Sequence, residues 1–230
     1  MIKKIVVLTG AGISAESGVS TFRDNGGLWE NHRIEDVATH EAWDANPEMV
    51  LDFYNQRRKQ LYQVEPNAAH KALAKLEEKY DVHIITQNVD DLHERGGSTK
   101  VLHLHGELKK SRSTVDDYKI YDINGWELKM GDVDEHGTQL RPHIVWFGES
   151  VPEITKASKI AARAYIFIVI GTSLNVYPAA GLLESVPYFV TKYFIDPNAR
   201  ENYNYNNLTI IKEKAGTAVP RLVEELLAKA

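Results

Sequence analysis

The feature that most limits what this chain can become is a short apolar run that stops abruptly at glycine. Ile5-Val6-Val7-Leu8 passes into Thr9-Gly10-Ala11-Gly12, and a run of this kind reads as a strand buried on both faces. Similar runs recur along the chain. Val82-His83-Ile84-Ile85 precedes Thr86-Gln87-Asn88-Val89-Asp90, and Ala164 to Ile170 precedes Gly171-Thr172-Ser173. Tyr193-Phe194-Ile195 precedes Asp196-Pro197-Asn198, and Leu208-Thr209-Ile210-Ile211 is the last. Helical patterns lie between them. Pro66 to Tyr80 sets Ala69, Leu73 and Leu76 at helical spacing, Glu153 to Arg163 reads similarly, and Ala218 to Ala230 carries Leu222, Val223, Leu226 and Leu227 on one side. Strands alternating with helices predict an α/β fold, a doubly wound, Rossmann-like parallel sheet. Such sheets hold ligands outside the carboxyl ends of their strands, and those ends are the polar or Gly-rich segments here.

At 230 residues the chain suits one large domain with a smaller lobe inserted in it. Two stretches break the alternation. Residues 25–63 are rich in aromatics and read as a helical insertion, and 107–140 read as a small polar lobe with Gly125, Gly131 and Gly137. The core is then 1–24, 64–106 and 141–230. With 27 basic against 32 acidic residues, the chain lacks the basic excess of a dedicated nucleic-acid binder. No apolar run approaches the ~20 residues that span a bilayer, and no signal-peptide pattern opens the sequence. A cytoplasmic protein without membrane or nucleic-acid partners is expected. The absence of cysteine excludes disulfides, Cys-ligated zinc, iron–sulfur clusters and thiol nucleophiles.

Gly10-Ala11-Gly12-Ile13-Ser14-Ala15 fits G-x-G-x-x-G/A directly after a strand, a loop whose backbone N–H groups cradle a pyrophosphate. A tight strand-to-helix turn without a ligand is the alternative. An ordinary dehydrogenase would reach a second strand ending in an acidic residue ~20 residues on, whereas the next clear strand here begins at Val82. Hydride transfer is therefore not the expected chemistry.

Five segments, in order, resemble the motifs of the sirtuins, NAD-dependent protein deacylases. Gly10 to Asp24 reads GAGISAESGVSTFRD, Gln87-Asn88-Val89-Asp90 resembles QNxD, Leu104-His105-Gly106 resembles the HG motif, Arg141 to Glu149 reads RPHIVWFGE, and Gly171-Thr172-Ser173 resembles GTS. The resemblance implies NAD as co-substrate and acyl-lysine proteins or peptides as partners. In the family's reaction the acyl oxygen attacks the nicotinamide ribose, nicotinamide leaves, and a ribose hydroxyl then attacks the alkylimidate so formed.

By that resemblance His105 is the general base for the ribose hydroxyl, a task that suits a group titrating near neutrality. His103 and His105 are expected on one strand face, so a metal pair is a rival reading. Asn88 and Asp90 correspond to catalytic ribose and carboxamide contacts, beside Gln87 and Val89, with a capped loop as the alternative. Gly10, Ala11, Gly12, Ser14 and Ala15 correspond to the cofactor loop. Thr21, Phe22 and Arg23 close over the reactive end of NAD, although Phe22 alone would read as core. Gly171, Thr172 and Ser173 correspond to phosphate or ribose contacts. Asp196 stands where the family usually has Asn, and Ala215 falls on the adenine side by position only. Val145, Trp146 and Phe147 resemble the edge that pairs with an extended substrate peptide, with an internal strand as the competing reading for Val145.

The family usually carries four zinc-binding cysteines after HG. Here Ser111 to Asp116 replaces the first pair and the second is missing before Arg141, so no zinc is expected and the lobe should pack through Tyr118, Ile120, Tyr121 and Trp126. Tyr54 and Arg57, three apart in a helical stretch, share a face. They resemble the Y-x-x-R of class III sirtuins, which bind the carboxylate of succinyl- or malonyl-lysine; a solvated Arg beside a packed Tyr is the alternative. The implied activity is NAD-dependent removal of succinyl or malonyl, and also acetyl, groups from lysine. An NAD glycohydrolase and a non-enzymatic NAD-sensing module are the other readings.

Overall fold

The structure is a computed structural model that describes residues 2–19, 28–29, 32–174, 177–200 and 205–230. The apolar run forms strand β1 (Lys4–Thr9), followed by one helical turn, α1 (Gly12–Ala15). A short antiparallel pair, β2 (Leu28–Trp29) and β3 (His32–Arg33), precedes α2 (Ile34–Val37), α3 (His40–Ala45), α4 (Pro47–Leu61) and α5 (Ala68–Lys75). Then come β4 (Asp81–Thr86), α6 (Leu92–Arg95), β5 (Val101–His103), β6 (Gly106–Ser113), β7 (Ile120–Asp122) and β8 (Leu140–Ile144). The chain finishes with α7 (Ile154–Ala161), β9 (Ile166–Ile170), β10 (Thr191–Ile195), β11 (Leu208–Ile211) and α8 (Ala215–Ala228).

Six strands form one sheet in the order β11-β10-β9-β1-β4-β5, and every pairing in it is parallel. The predicted doubly wound sheet is thus present, and burial explains it. Ile5 and Val7 pack with α5 and α8, while Val6 and Leu8 face α7 and the 3-10 segment Ala179–Ser185. All four residues are fully buried, which is why the run shows no polar alternation. Two boundaries differ from expectation. The last helix begins at Ala215, with Lys214 as its extended N-cap, and Val101–His103 adds a sixth strand too short to announce itself by pattern. From β1 the chain winds to β4 and β5, then returns to β9 on the other side. The ends of β1 and β9 therefore mark the topological switch point.

The small lobe is a separate antiparallel sheet, β7-β6-β8. Its expected packing through Tyr118 and Ile120 is corrected, because they are 93% and 44% exposed. β7 is an edge strand, and Tyr121, half-buried, bonds the Glu135 carboxylate. What holds the lobe is α4. Leu108, Leu128 and Leu140 pack in one cluster with Phe53, Tyr54 and Leu61. Asn55 exchanges two bonds with the Leu128 backbone at 3.0 and 2.9 Å. The fully buried Arg58 donates to the carbonyls of Leu108 and Trp126 and to Asn55. Burial lowers its pKa to about 10, so it stays charged at neutral pH. Arg58→Met should therefore strand two carbonyls and cost about 2–3 kcal/mol, read as a lower urea midpoint at unchanged m-value. A loss under about 0.5 kcal/mol, the range of ordinary surface changes, would overturn this account.

A structural zinc does not fit the lobe. The sequence supplies no thiolate, Ser111 and Ser113 lie buried within β6, and among the described residues no three His, Cys, Asp or Glu side chains gather to hold a metal. Prolonged EDTA treatment is expected to leave melting temperature and activity unchanged. Stoichiometric zinc in the purified protein would contradict that.

Candidate active site

The exits of β1 and β4 are stitched together by side chains that the strand register brings side by side. Thr9 and Thr86 pair across the sheet, and the Thr9 hydroxyl donates to Thr86 Oγ1 at 2.8 Å. Thr86 Oγ1 also accepts the Asn88 amide at 3.0 Å. A hydroxyl has one proton, so the 2.9 Å contact between Thr9 Oγ1 and His93 Nε2 requires the His93 nitrogen to donate. Burial holds His93 well below the usual histidine pKa, in its neutral form. The Asp90 carboxylate accepts the Leu92 amide at the start of α6 at 3.1 Å and Ser14 Oγ at 2.9 Å. Asn88 Nδ2 reaches Gly10 O and Ser14 Oγ at 3.2 and 3.1 Å. Asp90 is 5% exposed, and that burial raises its pKa. These bonds tie the loop down, and Ser14, Asn88 and Asp90 also border the cavity described below.

The two histidines do not share a strand face as expected. β5 ends at His103, and Leu104 and His105 form the bend into β6. Each ring instead bonds one carbonyl of the β4 exit: His103 Nδ1 with Asn88 O at 2.9 Å, and His105 Nδ1 with Gln87 O at 3.0 Å. A carbonyl only accepts, so both Nδ1 atoms carry protons. His103 Nε2 lies 2.8 Å from Glu94 Oε1. Burial opposes a charge there, but Glu94 and the carbonyl outweigh it and the pKa is raised. With both nitrogens engaged, His103 has none left for a metal. His105 is the opposite case. Burial lowers its pKa, only partly offset by the Gln87 bond, which leaves Nε2 as a neutral base nitrogen.

A base must be unprotonated to act. With its pKa lowered, a His105 that acts as base would put the acid limb of kcat/KM below the pH at which an ordinary histidine titrates. A pH–rate profile of the free enzyme checks this, and a limb at or above that pH would contradict it.

His105 borders a cavity of about 740 Å³ that runs along the carboxyl ends of the strands. Every sequence-predicted site residue within the described regions borders it; Thr21, Phe22 and Arg23 lie outside the described residues. From the β10 end the wall is Asp196, with Ala215 at the start of α8. It continues with Gly171, Thr172 and Ser173, then Gly10, Ala11, Gly12, Ser14 and Ala15, then Gln87, Asn88, Val89 and Asp90. Tyr54, Arg57 and Val145 to Phe147 close the other end.

The glycines have a reason other than the ligand. A Cβ on Gly12 would stand 2.7 Å from Gly171 Cα, and one on Gly10 would stand 2.7 Å from Thr172 Cβ. The two loops can touch only without side chains. The expected backbone cradle is correspondingly narrower. The amides of Gly10, Gly12, Ile13, Ser14 and Ala15 all donate within the chain, while Ala11, Thr172 and Ser173 border the cavity beside them. Gln87 Nε2 reaches Thr172 Oγ1 at 3.2 Å and joins β4 to β9. The Asp196 carboxylate bonds the Asn198 amide at 2.7 Å and borders the cavity. An extended dinucleotide suits this strip of hydroxyls, amides and carboxylates.

The expected free edge at Val145 to Phe147 is corrected for its donors. β8 ends at Ile144, and the three amides donate to His105 O, Glu149 Oε2 and Ala38 O. Trp146 is buried and Phe147 exposed. The solvated-Arg alternative for Arg57 also fails, since Tyr54 is fully buried and Arg57 is 6% exposed. Sequence reasoning missed Ile34 and Ala38 of the α2 region and Lys214 beside α8, which border the same cavity. Lys214 follows β11 and was reachable by the strand-end rule, whereas Ile34 and Ala38 carry no local signal.

The description "Sir2 family" matches residues 10–178. Among curated relatives, an "NAD-dependent protein deacylase" of Helicobacter pylori (strain 26695) is 52% identical over 231 residues, covering 100% of both chains. A protein of the same description from Bacteroides thetaiotaomicron is 51% identical, over 98% of this chain and 99% of its own. Among solved structures, a Sir2 homolog–NAD complex superposes with a TM-score of 0.88 at 38% identity, over 99% of this chain and 91% of that one. A Sir2–p53 peptide–NAD+ complex gives 0.79 at 31% identity, over 99% and 95%. No helix among the described residues is long and apolar enough to cross a membrane. Likeness of this extent, end to end and with the ordered motifs gathered on one cavity, has one meaning: the chain belongs to the Sir2 family, the sirtuins.

Proposed function

We propose that this chain is an NAD-dependent protein lysine deacylase of class III type, removing succinyl and malonyl groups, with acetyl groups as poorer substrates. The observation that carries the acyl preference is the buried pair Tyr54 and Arg57 on the wall of the cavity that His105 borders. An acyl carboxylate buried without partners is costly. A guanidinium can grip it with two parallel N–H bonds, and burial keeps the Tyr54 hydroxyl protonated and able to donate. The deacylase activity is supported by relatives about half identical to this chain that bear that description. It is supported also by solved relatives bound to NAD or to NAD and a peptide.

NAD, when bound, supplies the electrophilic ribose carbon and the nicotinamide leaving group. The chain's own residues then have distinct tasks. Thr172, Ser173 and Asp196 hold phosphate and ribose along the β9 and β10 ends, and Asn88 and Asp90 sit at the nicotinamide end. His105 Nε2 takes the proton of a ribose hydroxyl, its ring fixed by the Gln87 carbonyl. The wall of Tyr54, Arg57 and Trp146 receives the acyl group.

The test is one reaction of NAD with succinyl-, malonyl- and acetyl-lysine peptides followed by mass spectrometry. Nicotinamide and O-acyl-ADP-ribose should appear together, faster from succinyl and malonyl peptides. NAD cleavage without peptide would replace the reading with a glycohydrolase. No nicotinamide under any condition would replace it with an NAD-sensing module.

A further inference from the structure

The Trp146 indole stands against the acyl-pocket tyrosine, and its surroundings fix it more firmly than packing alone would. Its N–H lies 3.1 Å from the Tyr54 hydroxyl oxygen, with both side chains buried. An indole N–H can only donate, so Tyr54 is the acceptor in this bond, and the single phenolic proton is directed away from Trp146. The Arg141 guanidinium sits 3.6 Å from the indole centroid, and the Trp43 ring lies 5.9 Å away. The Trp146 backbone N–H donates to Glu149 Oε2 at 2.8 Å. Glu149 in turn receives Arg141 at 2.8 Å and Arg112 at 3.0 Å. Strands β6 and β8 of the small lobe are thereby tied, through one carboxylate, to the ring that meets Tyr54 on α4.

We infer that Trp146 is a positioning residue for acyl selectivity. Its N–H fills an acceptor site on the Tyr54 oxygen and so presents Tyr54 as a donor to the carboxylate of an acidic acyl group. The inference rests on the class III reading of Tyr54 and Arg57. A carboxylate offers only acceptors. A phenol without the indole contact has first to turn its proton towards the carboxylate, and the contact sets that orientation before the acyl group arrives. An acetyl group has no carboxylate and gains nothing from the orientation.

Trp146→Phe keeps an aromatic ring and drops the N–H. Steady-state kinetics at saturating NAD on succinyl- and acetyl-lysine peptides should show the succinyl-to-acetyl ratio of kcat/KM falling about 3- to 10-fold, the range for one lost hydrogen bond. The change should reside in the succinyl KM. Tyr54→Phe should lower the same ratio, and adding Trp146→Phe to it should lower the ratio no further. An unchanged ratio in Trp146→Phe, or a double variant whose loss equals the product of the single losses, makes the indole a packing residue and overturns the inference. Should Trp146→Phe fail to fold, the indole N–H resonance of Trp146 carries the test. It should shift on Tyr54→Phe and move more with succinyl than with acetyl peptide, and an unmoved resonance overturns the inference. A wild-type protein that prefers acetyl peptides overturns the class III reading itself. Loss of succinyl preference in Arg57→Met but not in Trp146→Phe overturns only the role of the indole.

Discussion

His105→Ala is expected to lower kcat/KM for every acyl peptide by about 10²- to 10⁴-fold, the usual cost of losing a general base, while NAD affinity changes little. Among the described residues the ring hydrogen-bonds the chain through Nδ1 to the Gln87 carbonyl, so its removal leaves the Thr9–Thr86–Asn88 bonds and the Ser14–Asp90 bond intact. Those contacts shape the β4-exit loop that borders the cavity. His103, held by Asn88 O and Glu94, cannot take over as base without its Nε2 leaving Glu94. Calorimetric titration with NAD and turnover of succinyl and acetyl peptides separate binding from chemistry. Near-normal turnover in the variant would remove His105 from the mechanism, and loss of NAD binding in step with turnover would make it a binding residue instead.

Arg57→Met is expected to lower the succinyl-to-acetyl ratio of kcat/KM roughly 10- to 150-fold. Hydrogen bonds to a charged group are worth ~1.5–3 kcal/mol, and ΔΔG‡ converts that into the ratio. Methionine preserves much of the length and apolar bulk beside Phe53, whose ring centroid lies 5.9 Å from the guanidinium carbon. The variant therefore removes mainly charge and donors. The two substrates share the lysine and the NAD, so the ratio cancels any general loss of active protein. Equal loss on both would show that Arg57 supports the fold, and the class III assignment would fall while the deacylase reading stood.

The sheet was legible because its strands are buried on both faces. Ile5 to Leu8 and Ile166 to Ile170 sit between helices on either side, so every position is apolar and each run stands out by composition alone. The strand ends were legible for the complementary reason: they face the cavity, and their polar residues interrupt those runs. Val101–His103 escaped notice because three residues carry too little pattern. The lobe's packing was misjudged because aromatic content does not say which strand is an edge; β7 is one, and Tyr118 and Ile120 face outward.

What the sequence determined by itself is the order of motifs, the strand–helix alternation and the absence of any thiolate for zinc, all of them local or compositional properties. The tertiary structure decided which of two neighbouring histidines is held towards its neutral form. His103 and His105 are alike in sequence, but Glu94 stands 2.8 Å from one, while burial lowers the pKa of the other against a single carbonyl bond. It decided that Gly10 and Gly12 serve the close approach of two loops before they serve a ligand. It also set Trp146 on Tyr54 across 92 residues of chain. Contacts between segments far apart in sequence leave no periodicity to read, because each side chain's local pattern is set by its own helix or strand and not by the partner that folding brings to it.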